Sequence, residues 1–371
     1  MDRRQIDQTE GLESLELTWS TLIWELLQGR DLSAQETSWV MNEVMSGSAS
    51  PVSLAGFLVA LAAKGETVSE LLGLADTMVA HAVDVPLPRG QNDEVIPTVD
   101  VVGTGGDRHH TVNISTMAAL VVAGAGLHVA KHGNRAASSA SGSADVLEAL
   151  GIKLDLTAQR AADLISEVGI TFLFAQQFHP AFRHAVQARV GLGIPTAFNV
   201  LGPITNPARP HAGAIGVGNL RMAPLIAGVF AQRGNSTLVF RSEDGLDELS
   251  TTAAARVWEV TGATGGTVKE HLIDFASKLG MQRAQIKDLK GGSPEENAQI
   301  AREVFEGKLG PIRDTVVLNA AAAIVADGSK ISNTTASLIE RFAEGVDHAA
   351  EAIDSGRTFK VLQRWVENSH K

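Results

Sequence analysis

Between residues 99 and 143 the chain twice runs from a β-branched strand into a glycine- or serine-rich loop and out into a helix. The first passage is Val99-Asp-Val-Val-Gly103-Thr-Gly-Gly-Asp107, continuing through Asn113-Ile-Ser-Thr116. The second is Val129-Ala-Lys-His-Gly133-Asn-Arg-Ala-Ala-Ser-Ser139, leading to Ser143. Strands that lead into helices cannot close as hairpins, so the pattern commits this region to a largely parallel sheet with helical crossovers. Glycine is enriched in the chain, 36 of 371 residues, about 10% against a usual ~7%. At Gly103, Gly105 and Gly106 it allows backbone amides to approach a ligand with no Cβ in the way.

The elements around this region follow the same logic. Residues 1–90 read as helices. Ser33-x-x-Glu36 and Thr67-x-x-Glu70 are capping boxes, and Gly47 and Gly65 are stops. Three prolines between Val85 and Pro97 mark a linker and the first candidate boundary. Beyond it, strands are expected at Thr98–Val102, up to Lys131, at Ile170–Ala175, Ala212–Val217, Thr237–Arg241 and Val257–Val260. Helices are expected from about Ser115, over Ser143–Leu150 and over Thr157–Val168. The fold class is therefore α/β: a small helical domain over 1–95, and a larger α/β domain over 96–371 with a mostly parallel central sheet.

Absences narrow the function. The chain has no cysteine, which removes disulfides, thiolate metal sites and cysteine nucleophiles. No stretch approaches the ~18 uninterrupted apolar residues of a membrane span. The first residues lack an apolar signal core, so a cytoplasmic location is expected. A formal net charge of −11 argues against binding nucleic acid or an anionic membrane.

Against that acidic background, residues 101–143 carry Arg108, Lys131 and Arg135 but only Asp107, a local net of +2. Two helix N-termini with glycine loops and short polar side chains then read as traps for an anion such as phosphate. Taken singly, each loop is equally a tight turn with an ordinary helix cap. The loops match neither a dinucleotide fingerprint nor a P-loop. A third cluster, Asp244-Gly-Leu-Asp247-Glu248, follows the strand Thr237–Arg241. Paired carboxylates at a strand's C-terminal end suit Mg²⁺, which takes one or two carboxylates plus waters and phosphate oxygens. The alternative is acidic residues at a solvated helix N-terminus. His179 opens an apparent helix carrying Arg189, whose guanidinium can grip a carboxylate bidentately. His128 and His132, and His109-His110, lack zinc spacing.

These residues resemble the anthranilate phosphoribosyltransferase family. Its marks stand here as Gly103–Asp107, Asn113–Thr116, Lys131–Ser139, Asp244–Glu248 and Asn199–Pro207, in order, with the similarity running from about residue 20 to 365. The resemblance implies transfer of a 5-phosphoribosyl group from phosphoribosyl diphosphate (PRPP) to the amine of anthranilate, a step of tryptophan biosynthesis. It implies a homodimer joined through helical domains, each completed by a segment near 175–205.

Carried over residue by residue, PRPP would meet Gly103, Gly106, Asp107 and Thr111 on the first loop. Asn113, Ile114, Ser115 and Thr116 would meet it at the following helix. Lys131, His132, Gly133, Asn134 and Arg135 would follow on the second loop, with Ala136, Ala137, Ser138, Ser139 and then Ser143. Mg²⁺ would lie at Ser115, Asp247 and Glu248. Gly103, His132, Asn134, His179 and Arg189 would line the anthranilate path. No catalytic acid–base dyad is identified; Lys131, His132 and Arg189 would support a reaction driven by positioning and electrostatics. Two departures stand out: Arg108, where the family usually has Gly, and Val190-Gly191, where it usually has charged residues. The competing readings are a pyrimidine nucleoside phosphorylase-like enzyme and a non-catalytic nucleic-acid-binding paralogue. The Asp247-Glu248 pair argues against the first, and the net acidity against the second.

Overall fold

The structure, a computed structural model, describes residues 17–136, 141–262 and 265–371. Among the described residues four helices come first: Trp19–Leu27, Ala34–Ser46, Pro51–Lys64 and Val68–Ala80. The two capping boxes form as expected. Ser33 Oγ accepts from the Glu36 amide at 3.2 Å while the Glu36 carboxylate accepts from the Ser33 amide at 2.7 Å. Glu70 does more than cap. It is fully buried, and accepts from the Leu32 and Thr67 amides at 2.8 Å each and from Lys64 Nζ. Gly47 ends the second helix at φ +77°, in the left-handed region that glycine enters without cost.

Among the described residues seven strands form one sheet: β1 (Val99–Gly103), β2 (Val129–Gly133), β3 (Ile170–Phe174), β4 (Ala212–Gly216), β5 (Ser236–Ser242), β6 (Ala255–Val260) and β7 (Val268–Ile273). Their spatial order is β3-β2-β1-β4-β5-β6-β7. The first five are parallel, and β5–β6 and β6–β7 are antiparallel. The sheet is mostly parallel, as the strand–helix alternation implied. β7 was not foreseen: Val-Lys-Glu-His-Leu-Ile is largely exposed and its apolar signal is weak.

Alternation along the strands divides the interior in two. Val99 and Val101, Ala212 and Ala214, and Leu238 and Phe240 join a core with the helices Ile114–Gly124, Pro311–Asp327 and Leu338–Asp354. Val102, Ile215 and Val239 face the other way and share a core with the N-terminal helices. Ala185, Ala188, Ala197, Phe198 and Leu201 pack into that second core. Asp100, on the same face of β1 as Val102, is thereby buried beneath the junction of the two layers.

Chain order places β2 and β3 on one side of β1, and β4 and β5 on the other. The reversal opens a crevice beyond the carboxyl ends of β1 and β4, the usual ligand position in such sheets.

Candidate functional site

The crevice is walled by the loops after β1, β2 and β5. Gly105 and Gly106 sit at φ +69° and +83°, which turns the first loop sharply. The Gly105 amide donates to Asp247 Oδ2 at 2.6 Å, and the Ser115 amide to Glu248 Oε1 at 3.2 Å. The carboxylate pair thus faces the glycine loop and the start of the helix Ile114–Gly124. Space explains two glycines here. A Cβ on Gly103 would collide with the Asp247 carboxylate, and one on Gly216 with the Asp247 backbone carbonyl.

Lys131 lies under this floor, 1% exposed. Its Nζ donates to the Val101 carbonyl at 2.5 Å and reaches Ser115 Oγ at 3.4 Å. Burial pushes the ammonium down, while Asp100 and Glu248 pull the other way. Burial, together with Asp107 opposite, pushes the Asp247 carboxyl up to about 7. Glu248 is raised well above the carboxylate range by burial and by Asp247 beside it. Neither carboxylate has an ion-pair partner within 4 Å among the described residues. Two crowded, buried carboxylates without a cation are the donor set that Mg²⁺ relieves. No group of three or more His, Asp or Glu side chains among the described residues could hold a metal alone. A cation here would complete its shell with water and substrate oxygens.

Other residues expected at the site are present in supporting positions. Asp107 Oδ1 accepts from the His109 amide at 3.1 Å. Thr111 bridges to Lys290, and Asn113 reaches the Ser141 carbonyl at 3.1 Å and Asn297 Nδ2 at 2.9 Å. Ile114 and Thr116 are buried in the first helical turn. Gly133 ends β2 where a Cβ would press on the Phe172 ring at 2.8 Å. The Asn134 carbonyl accepts from the Ala144 amide at 3.2 Å, and Ser143 opens the helix Ser143–Ala149.

Arg135 is engaged elsewhere. It pairs with Asp145 at 2.9 Å and Glu148 at 2.6 Å, and stacks 5.5 Å over Phe174. The positive excess counted between residues 101 and 143 is therefore partly cancelled by acids just beyond that window. The Ala136 amide donates to Asp145 Oδ2 at 3.1 Å. Ala137, Ser138 and Ser139 lie outside the described residues.

Two histidines meet at the opposite wall, their ring centroids 5.3 Å apart. His132 Nδ1 donates to the Gly202 carbonyl at 3.0 Å, and His179 Nε2 to the Thr205 carbonyl at 2.9 Å. Burial and His179 push His132 down to about 3, so the ring is neutral. Arg189 is half-buried, 5.3 Å over the Phe182 ring, with no carboxylate partner among the described residues. The helix expected from His179 is a 3₁₀ segment, Pro180–Ala185, followed by the α-helix Val186–Leu192. Arg108 occupies φ +62°, the left-handed region that favours glycine. Val190 is 75% exposed.

Four supports were given no role from the sequence: Asp100, Asn206, Gly216 and the segment Leu289–Gly291, although Asn206 lies in the family stretch Asn199–Pro207. That segment props the first loop through Leu289, whose carbonyl takes the Val112 amide at 2.9 Å, and Gly291, whose amide donates to His110. The local signal for the last of these was the Gly291-Gly292-Ser293 run before the helix Pro294–Phe305.

A helical bundle feeding an α/β sheet, with a glycine loop and a carboxylate pair at its switch point, has counterparts of known class. Residues 20–82 match the helical bundle domain of a glycosyl transferase family, and residues 95–359 match its a/b domain. The anthranilate phosphoribosyltransferase of Salinispora arenicola (strain CNS-205) is 54% identical over 355 residues, 96% of this chain and 98% of that one. That of Arthrobacter sp. (strain FB24) is 54% identical over 349 residues, 94% and 95% of the two chains. Among solved structures, the Thermus thermophilus anthranilate phosphoribosyltransferase is 40% identical with a TM-score of 0.84, covering 94% of this chain and 99% of that one. The Saccharomyces cerevisiae enzyme in complex with PRPP and Mg is 27% identical with a TM-score of 0.82, covering 96% and 98%. The chain belongs to the anthranilate phosphoribosyltransferase family.

Proposed function

We propose that this protein transfers the 5-phosphoribosyl group of PRPP to the amine of anthranilate, giving N-(5-phosphoribosyl)anthranilate and diphosphate in tryptophan biosynthesis. The observation that carries the reading is the convergence of the Gly103–Asp107 loop, the Ser115 amide and the Asp247–Glu248 pair above Lys131. The Saccharomyces cerevisiae relative bound to PRPP and Mg supports it, as does the same enzyme bound to 4-fluoroanthranilate.

The C1–oxygen bond breaks with its electron pair going to diphosphate, the amine lone pair forms the N–C1 bond, and the resulting cationic nitrogen passes its extra proton to water. Bound Mg²⁺, held through Asp247, Glu248 and Ser115, would neutralise the leaving diphosphate. The loop amides at Gly103–Asp107 and the helix at Ile114 orient the phosphates. From the described part of the second loop, Asn134 and Ser143 would meet PRPP on its ribose phosphate side. Lys131 holds Ser115 and the end of β1 in place from below. No strong general base is required, because an arylamine attacks in its neutral form.

Arg189 would face the anthranilate carboxylate, with His132, His179, Asn134 and Gly103 beside the ring. Arg189→Ala is expected to raise the anthranilate KM at least ~10-fold while the PRPP KM changes less than ~3-fold. Initial rates at varied substrate check this; equal effects on both constants would remove Arg189 from the acceptor site.

A homodimer is part of the proposal. Trp24, Leu27, Val52 and Val190 are 62, 63, 82 and 75% exposed. They lie on three helices that pack in sequence, Trp19–Leu27 on Pro51–Lys64 on Val186–Leu192. Large apolar side chains exposed on neighbouring helices suit burial in an interface, and a second copy of the chain would cover them. Val52→Glu with Val190→Glu is expected to halve the mass seen by light scattering; an unchanged mass would place the interface elsewhere. Among the described residues no helix is long and apolar enough to cross a membrane.

A further inference from the structure

The segment Gly202-Pro-Ile-Thr-Asn206 stands out in the sequence, yet none of its residues is assigned to either substrate. Its contacts converge on the acceptor wall. The Gly202 carbonyl takes the His132 Nδ1 proton, and the Thr205 carbonyl the His179 Nε2 proton. Asn206 is 5% exposed and its side chain is fully used. Nδ2 donates to Asp100 Oδ2 at 2.8 Å and to the Ala130 carbonyl at 2.7 Å, and Oδ1 accepts from the Ala208 amide at 2.9 Å. Asp100 in turn accepts the His132 amide on Oδ1 at 3.3 Å.

One short segment therefore grips His132 at two points, the ring directly and the backbone through Asp100. A carbonyl can only accept, so Nδ1 of His132 carries the ring proton and Nε2 is a bare lone pair. Nε2 is buried with no hydrogen-bond partner among the described residues. A buried acceptor left unmatched is costly, and an N–H donor such as the arylamine would satisfy it.

We propose that Asn206 is a positioning residue for the acceptor half of the reaction. Acting through Asp100 and the β1–β2 junction, it holds His132 with Nε2 ready for the amine N–H. The idea rests on the phosphoribosyl transfer proposed above. Asp100 is a poor solitary anion, since burial pushes it up to about 6. Its neighbours are the Lys131 ammonium from β2 and the Asn206 amide from the segment, so the amide is what fixes the carboxylate's geometry.

The test is Asn206→Asp, which keeps the shape and removes the donor. At pH 8, kcat/KM for anthranilate is expected to fall at least ~10-fold while the PRPP KM stays within ~3-fold. At pH 6 the deficit should shrink, because the two carboxyls then share a proton that restores the hydrogen bond. Pairing it with Asp100→Asn re-creates one amide–carboxylate bond and should recover part of the loss. A variant with wild-type acceptor kinetics would overturn the proposal. So would equal rises in both KM values, or a loss that neither pH nor the paired substitution relieves.

If Asn206→Asp does not fold, Asn206→Ser removes the same donor and is read by the same KM split. Should the wild-type enzyme not consume anthranilate, the phosphoribosyl transfer reading falls, while the clamp stays testable by ¹⁵N-histidine NMR. Wild type is then expected to show a bare His132 Nε2, and Asn206→Asp a mixture of tautomers. An unchanged His132 signal would overturn the clamp by itself.

Discussion

Asp247→Asn combined with Glu248→Gln is expected to lower Mg²⁺-dependent use of PRPP by at least ~10-fold, about 1.4 kcal/mol of lost transition-state stabilisation. The substitutions keep the shape. An amide oxygen still accepts the Gly105 and Ser115 amides that the carboxylates hold now. What disappears is charge. Both carboxyls are raised by burial and by their acidic neighbours, so ionising them in the folded state costs stability above their unfolded values. The neutral pair should therefore fold at least as well as wild type. A loss of activity with an unchanged or higher Tm separates a metal role from a folding defect. Unchanged rates across a Mg²⁺ titration would remove both residues from the metal site.

Gly216→Ala is the second large effect, and it reaches the site from behind. A Cβ there would run into the Asp247 carbonyl, which is backbone and cannot swing away, and would press on Phe240 at 3.4 Å. Overpacking of this kind costs ~1–3 kcal/mol. The strand or the Asp247 turn must shift, so turnover should drop at least ~10-fold as the carboxylate leaves the Gly105 amide. Thermal melting and initial rates check both arms. Gly191→Ala, where a Cβ would meet nothing within 4 Å, serves as the stability control. Wild-type Tm and rate in Gly216→Ala would show that the turn after β5 is loosely held.

What the sequence revealed and what it hid divide along the range of the interactions. The capping boxes at Ser33 and Thr67, the stop at Gly47 and the strand–loop–helix passages after Val99 and Val129 are local, and each forms within a few residues of its signal. The glycine loop and the Asp247–Glu248 pair were both legible as residues. Their meeting was not, because the Gly105 amide and Asp247 are 142 positions apart. Resemblance to a family supplied that link. Asp100 carried no pattern, and Asn206, 106 positions away, stood in the family stretch Asn199–Pro207 with no role attached to it. An Asp inside a valine-rich strand reads as an exception until the amide that satisfies it is seen. Arg135 shows the opposite failure: counted as a free cation, it is held by Asp145 and Glu148 one helical turn beyond the window. β7 was missed because its exposed residues carry little of the alternation that marks a strand.

Arg108 joins the two kinds of information. The resemblance led to the expectation of a glycine there, and the φ of +62° lies in the left-handed region that glycine enters without cost.

The most direct test of the account is a fluorescence assay. Purified protein is mixed with anthranilate, PRPP and Mg²⁺, and the loss of anthranilate fluorescence is followed with and without EDTA. The account predicts a loss that requires both PRPP and Mg²⁺ and stops on chelation. No loss with PRPP still bound, as shown by calorimetry, would contradict it and assign the intact phosphate site to a different acceptor.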